Sequence, residues 1–173
     1  MPVVILISVR VIFMSLFLKR DASADNRCFV IFDECGNEKY YVYSKQTKVS
    51  AKNILIIADT NDKQVARVRR LPIVGTNAYV LKLGKKHITF VTVSTLKGVN
   101  SYIYGSNLCV CGDISTKNFS ILDVDKTIIL EHKRHTDYCE LIIPDNSNEL
   151  FCIAVSLCAN LINTVDKLAV QTV

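Results

Sequence analysis

The sequence predicts an all-β protein with one buried helix, in which an antiparallel barrel of short strands wraps around a hydrophobic segment. An apolar run, an aspartate, a short polar turn and a second apolar run recur in this order at residues 29–43, 54–68 and 119–131. Residues 149–165 then form a helix-length stretch that is apolar on nearly every side. Such a helix is buried in protein or in membrane, and we expect the hairpins to bury it.

The strands are short and follow one another closely. About eleven are separated by turn signals with no helical pattern between them, which is typical of a barrel or a sandwich. We expect the first strand at residues 11–18 and a polar connection at residues 44–53. Eight-stranded barrels fill with their own side chains, so a barrel that holds a helix needs more than eight strands.

Three aspartates, Asp33, Asp59 and Asp123, occupy the same place in the three repeats. One interpretation makes them ligands. We prefer the other, in which each carboxylate caps its turn by accepting hydrogen bonds from backbone N–H groups two or more residues further on.

The terminal helix is too short to span a bilayer comfortably. At 1.5 Å per residue, residues 149–165 extend about 25 Å, whereas the hydrocarbon core measures about 30 Å. Ser156 and Asn160 form its narrow polar stripe, and Asn148 is a candidate cap. We therefore predict a core helix, with a poor transmembrane tail as the alternative.

The first eighteen residues are also apolar, and they allow two interpretations. A β-strand with an extension is favoured, because Arg10 divides the stretch and no side-chain positive charge precedes it. The alternative is a signal peptide or a membrane anchor. The predicted organisation is an extension or first strand at 1–13, a barrel domain at 14–165 with its helix at about 149–165, and a tail at 166–173.

Composition places the chain in a broad class. The net charge is +5, with 21 Lys and Arg against 16 Asp and Glu, which permits an anionic partner without requiring one. Seven cysteines without regular spacing do not suggest a disulfide framework. We predict a reducing, cytoplasmic location, with peripheral attachment to membranes as an option.

Basic residues fall into three groups that are candidates for binding phosphate. The candidates are Lys63, Arg67, Arg69 and Arg70 around the second repeat, Lys82, Lys85 and Lys86 around a hairpin turn, and Lys133 and Arg134 after the third repeat. His87, His132 and His135 lie beside them. Arg67 and Arg69 should project from one strand face, where their two guanidinium groups could form bidentate hydrogen bonds to phosphate. The alternative is that all these charges are merely solvated on the barrel exterior.

Metal and catalytic sites are not indicated by the spacing of candidate residues. Cys109, Cys111, His132 and His135 are possible ligands, but their spacing is unlike that of zinc sites. No nucleophile elbow, P-loop or dinucleotide fingerprint is present in the sequence. We predict a protein that is not an enzyme and needs no cofactor.

Several phrases, taken in order, resemble the LURP-one-related proteins, which are similar to the tubby C-terminal domain and the phospholipid scramblases. The phrases are F-x-I-x-D-x-x-G-N at 29–37, I-A-D-T-N-D-K-Q-V-A-R-V-R-R-L at 57–71, G-D-I-S-T-K-N-F-S-I-L-D at 112–123, and the closing helix. The resemblance covers about residues 14–163. It implies a closed barrel of about twelve antiparallel strands around a central helix. Relatives often place a tryptophan near residues 132–138, and this chain has none.

Function follows from the resemblance together with the basic groups. We expect a non-enzymatic, intracellular binding module that docks on anionic phospholipid or phosphoinositide. The alternatives are a protein-interaction scaffold that does not bind lipid and a scramblase-like membrane protein. We expect no nucleic-acid partner. The phosphoinositide-binding residues of tubby domains cannot be placed in this sequence, and none is transferred.

Overall fold

Twelve strands and one helix make up the residues that the computed structural model describes, which are 13–21, 26–47, 50–96 and 98–162. The strands are β1 (Met14–Arg20), β2 (Arg27–Phe32), β3 (Glu38–Thr47), β4 (Ser50–Asp59), β5 (Gln64–Leu71), β6 (Thr76–Leu83), β7 (Lys86–Thr95), β8 (Gly98–Tyr104), β9 (Cys109–Asp113), β10 (Asn118–Leu122), β11 (Ile128–Arg134) and β12 (Tyr138–Ile143). A 3-10 turn, Asn146–Asn148, leads into the helix α1 (Glu149–Ile162).

The strands form one antiparallel sheet that curls into a nearly closed barrel. Its hydrogen-bonded order is β8-β7-β6-β5-β4-β3-β2-β1-β12-β11-β10-β9. β1 pairs with β12, with Met14 opposite Ile143, and this pairing joins the two halves of the chain. The strands at the two ends of the order, β8 and β9, approach each other without a backbone ladder. The predicted barrel with one helix is confirmed, with a single seam between β8 and β9.

The three repeats form three hairpins with the same turn. In each, one Oδ1 atom accepts two backbone N–H groups, those of residues two and four positions further on. The donor–acceptor distances are 2.9 and 2.8 Å at Asp33, 2.9 and 3.0 Å at Asp59, and 2.9 and 2.8 Å at Asp123. The fourth turn residue has a positive φ in each, at Gly36, Asp62 and Lys126. The prediction that these aspartates cap turns is confirmed.

The helix α1 is the core of the barrel. Residues 151–160 and Ile162 are buried, and the helix contacts β5, β6, β11 and β12. The polar stripe is satisfied by the helix itself, since Ser156 Oγ donates to Cys152 O at 2.7 Å and Asn160 Nδ2 donates to Ser156 O at 2.9 Å. The predicted core helix is therefore confirmed over residues 149–162, and residues 163–165 lie outside the described residues.

The two ends of α1 are fixed to opposite ends of the barrel. Lys39 Nζ on β3 lies 2.6 Å from Glu149 Oε1 at the start of the helix. At its other end, Asn160 Nδ2 lies 3.8 Å from Cys139 Sγ on β12. The helix consequently runs along the barrel interior, and its first turn lies at one open end of the barrel.

Three local expectations need correction or fall outside the described residues. The predicted polar connection at 44–53 is wrong, because β3 and β4 continue through it as a ladder that ends with Thr47 opposite Ser50. Asp145 accepts the N–H of Ser147 at 2.9 Å and caps the 3-10 turn, which the sequence did not predict, directly before α1. The predicted first strand is observed from Met14. Residues 1–12 and the predicted tail 166–173 lie outside the described residues.

Candidate functional site

Four basic side chains share the outer face of β5, β6 and β7. Arg67 is opposite Lys82, which is in turn opposite His87, and Arg69 is opposite Val80. Together these five residues line a cleft of about 170 Å³. We call Arg67, Arg69, Lys82 and His87 the β5–β7 basic patch.

The patch follows from strand alternation. Ala66 and Val68 are 2% and 1% exposed and point into the core, so Arg67 and Arg69 point outward. Adjacent strands lie about 4.8 Å apart, and alternate residues of one strand lie about 6.6 Å apart. Three long cationic side chains and a histidine at this spacing can reach a single phosphorylated group.

No acidic side chain that the structure describes forms an ion pair with the patch. Among the residues that the structure describes, ion pairs join Arg27 to Asp21, Lys39 to Glu149 and Lys133 to Glu131, and His135 Nε2 lies 3.1 Å from Glu140 Oε2. Arg67, Arg69 and Lys82 belong to none of these pairs. Three cations side by side without a counter-ion attract an anionic partner.

Arg70 does not join its two neighbours. It lies on the inner face of β5 opposite Tyr79, which is 1% exposed. Its Nη2 donates to Asn77 Oδ1 at 3.1 Å. The prediction that grouped Arg70 with Arg67 and Arg69 is wrong, because successive residues of a strand point to opposite faces.

The lysines of the first and second groups also separate. Lys63 and Lys86 line a different cleft, at the end of the barrel where α1 begins. Lys85 occupies the exposed two-residue turn between β6 and β7. Of the predicted candidates, the structure therefore brings together Arg67, Arg69 and Lys82, with His87 beside them.

The third predicted group lies elsewhere in the barrel. Lys133 and Arg134 are on β11, which the sheet order separates from β5, β6 and β7. Lys133 Nζ lies 3.5 Å from Glu131 Oε1 in an exposed pair that contributes little stability. Arg134 lines a shallow cleft with residues 135–138.

His132 is a core residue rather than a surface base. It is 1% exposed, its ring stacks on Phe119 with centroids 4.7 Å apart, and its Nδ1 lies 2.7 Å from Lys117 O. Burial lowers the pKa of His132 to about 4, so the ring is neutral and its Nδ1–H donates to the carbonyl. Leu130, on the same face of β11, is equally buried, and this alternation could have placed His132 inside.

A second basic cluster, formed by Lys117, Arg134 and Arg20, is not predictable from the sequence. Burial lowers the pKa of Lys117, and the nearby charges of Arg134 and Arg20 lower it further. These three cations come from the turn between β9 and β10, from β11 and from β1. No local sequence pattern indicates their proximity, because it depends on the pairing of β12 with β1 and β11.

Potential metal ligands and thiols are distributed over the described residues. No group of three His, Cys, Asp or Glu side chains among them is arranged to hold a metal ion. All seven cysteines are free thiols, with Cys35, Cys109 and Cys111 exposed. No helix in the described ranges is long and apolar enough to cross a bilayer.

Comparison with known proteins gives a fold relationship. No family model matches the chain, and no curated protein matches it. An X-ray structure of a protein from Arabidopsis thaliana is similar, with a TM-score of 0.56 at 12% sequence identity, over 86% of this chain and 91% of that one. At this identity the similarity shows a shared fold alone.

Proposed function

We propose that this protein is a non-enzymatic binding module that docks the β5–β7 basic patch on anionic, phosphate-bearing lipid such as a phosphoinositide. The observation that supports this is the convergence of Arg67, Arg69 and Lys82 on one cleft, where none of them forms an ion pair with another described residue. We further propose membership of the LURP-one-related family and a cytoplasmic, peripherally membrane-associated location.

The chemistry of the patch favours phosphate. A guanidinium group presents a planar fork of donors that matches two phosphate oxygens, whereas a lysine acts as a point charge. The patch combines the guanidinium groups of Arg67 and Arg69 with the ammonium group of Lys82 on the same face of the sheet. Near an anionic leaflet, each cation contributes about 1 kcal/mol, so three cations together give measurable binding.

The test is co-sedimentation of the full chain with vesicles of phosphatidylcholine alone, with added phosphatidylserine, and with added phosphoinositide. We expect binding that is strongest to phosphoinositide and weakens as salt rises, because exposed charges are screened. Replacing both arginines, R67Q/R69Q, should reduce the bound fraction about tenfold or more, the loss expected from two charged contacts. Binding that is unchanged in this variant would exclude the patch as the docking site.

Two controls sharpen the result. The double variant K19Q/K126Q removes the same charge from two exposed lysines outside the patch, and it should keep most of the binding. The variant R67K/R69K keeps the positive charge and removes the two guanidinium groups. If R67K/R69K binds phosphatidylserine vesicles normally and loses its preference for phosphoinositide, the guanidinium groups of Arg67 and Arg69 recognise the phosphorylated headgroup.

A protein-interaction scaffold is the second candidate, and the seam favours it. β8 and β9 end the hydrogen-bonded order, and Tyr102 and Tyr104 are exposed on β8 with stacked rings. A sheet edge with unpaired backbone groups can accept an extended peptide. A stoichiometric protein partner retained at high salt, with no binding to any vesicle, would support the scaffold over lipid docking.

A further inference from the structure

A cleft of about 730 Å³ lies at the end of the barrel where α1 begins. Its floor is apolar, with Ile88 and Phe151 1% and 6% exposed. Half-buried apolar side chains form its walls, namely Val65, Leu83, Leu108 and Leu150. Polar side chains complete the lining, and the volume falls in the range of sites that bind small molecules.

Two lysines bring positive charge to this cleft. Lys63 follows the turn between β4 and β5, and Lys86 opens β7 on the same strand face as the buried Ile88. Within the described residues neither lysine forms an ion pair. The acidic residue of the cleft, Glu149, is already engaged, because its Oε1 lies 2.6 Å from Lys39 Nζ.

Tyr40 engages Glu149 as well. Burial raises the pKa of Tyr40, and the charge of Glu149 together with a hydrogen bond to it raises this pKa further. The phenol therefore keeps its proton and donates to the carboxylate. With Glu149 held by Lys39 and Tyr40, the two remaining lysines leave the cleft with a positive rim above an apolar floor.

We propose that this cleft binds an amphiphile with one linear apolar chain and one anionic headgroup. The apolar chain of the ligand would lie on Ile88 and Phe151, where it is removed from water. The headgroup of the ligand would contact Lys63 and Lys86. Two lysines act as point charges and do not demand a particular headgroup geometry. The headgroup is therefore defined as a carboxylate or a phosphate monoester, and the experiment distinguishes them.

The site is separate from the β5–β7 basic patch. Lys86 and His87 are adjacent on β7, but they point to opposite faces of the strand, so that Lys86 faces the barrel end and His87 faces the outer patch. A free amphiphile in this cleft and a bilayer on the outer face therefore use different side chains. Loss of one binding activity leaves the other to be measured independently.

Isothermal titration of the full chain with decanoate, decyl phosphate and decan-1-ol tests the proposal. We expect one equivalent of anion to bind, with the tighter of decanoate and decyl phosphate identifying the headgroup. In K63Q/K86Q we expect affinity for the anion to fall about tenfold, as for lost contacts to a charged group, while decan-1-ol binds as before. L108W should weaken all three ligands by filling the cleft, provided that its melting temperature shows a folded protein.

The matched control is K85Q/K126Q, which removes two exposed turn lysines outside the cleft and should leave decanoate affinity unchanged. R67Q/R69Q should also leave it unchanged. The proposal is overturned if no anion binds to the folded protein, if K63Q/K86Q binds as tightly as the natural chain, or if K85Q/K126Q loses affinity to the same extent.

Discussion

At the scale of single residues, one carboxylate oxygen organises each repeated turn. Asp123 Oδ1 accepts the N–H groups of Asp125 and Thr127, and Asp123 N donates to Thr127 O at 3.1 Å. The side chain thus satisfies backbone donors that the strand ladder leaves unpaired. These positions are predictable from the sequence, because a turn of this type requires a short acceptor side chain at its first residue.

Replacing Asp123 tests this role. We expect Asp123→Ala to lower the free energy of unfolding by about 1–2 kcal/mol, because two backbone donors lose their acceptor. Urea denaturation measures the change. Asp125→Ala, in the same turn, removes an exposed carboxylate that accepts neither bond and should change stability by less than about 0.5 kcal/mol. Equal effects of the two substitutions would contradict the capping role.

His132 makes stability depend on pH. Its folded-state pKa of about 4 lies below the ~6.5 of an unperturbed histidine. Between these values the unfolded chain binds a proton that the folded chain does not. The free energy of unfolding therefore falls as the pH is lowered, and this one group accounts for about 2 kcal/mol between pH 7 and pH 5.

The substitution His132→Asn removes this titration and keeps an amide that can donate to Lys117 O. Urea denaturation at pH 7 and pH 5 should show a smaller difference for this variant than for the natural chain, whatever its stability at pH 7. His87→Asn removes an exposed histidine and should keep the full difference. A variant at position 132 with undiminished pH dependence would show that another group is responsible.

At the scale of elements, α1 replaces the layer of side chains that fills a smaller barrel. Its apolar residues contact inner faces on both halves of the sheet, and Leu157 is fully buried at 0% exposure. The helix and the strands thus share one core, in which neither can bury its apolar surface without the other. Stability of the barrel and of the helix should be lost together.

One substitution in the helix tests this dependence. Leu157→Asp places an unpaired charge in the core and should abolish soluble folding. Leu150→Asp, in the half-exposed first turn, adds the same carboxylate where the helix dipole favours negative charge, and it should stay folded. Soluble yield and circular dichroism report both outcomes. A soluble, cooperatively melting Leu157→Asp variant would show that α1 is not essential to the core.

At the scale of the whole molecule, features that depend on residues close together in sequence are predictable, whereas features that depend on the pairing of distant strands are not. The hairpins and the helix follow from residues close together in sequence, such as Asp59 with its turn. Alternation on β5 also contained the information that Arg70 points away from Arg67. In contrast, the proximity of Arg20 and Arg134 depends on β12 pairing with β1, which no short window of sequence encodes.

The order of the elements along the chain also determines when the barrel can form. In the described part of the chain all twelve strands precede α1, and β1 pairs with the last of them. During synthesis the strands consequently emerge before the helix that fills their interior, and their apolar faces remain exposed until it arrives. Because the β1–β12 pairing and the packing of α1 join residues that are distant in sequence, completion of the barrel should be slow and largely post-translational. Newly made chains are therefore expected to depend on chaperones during that interval.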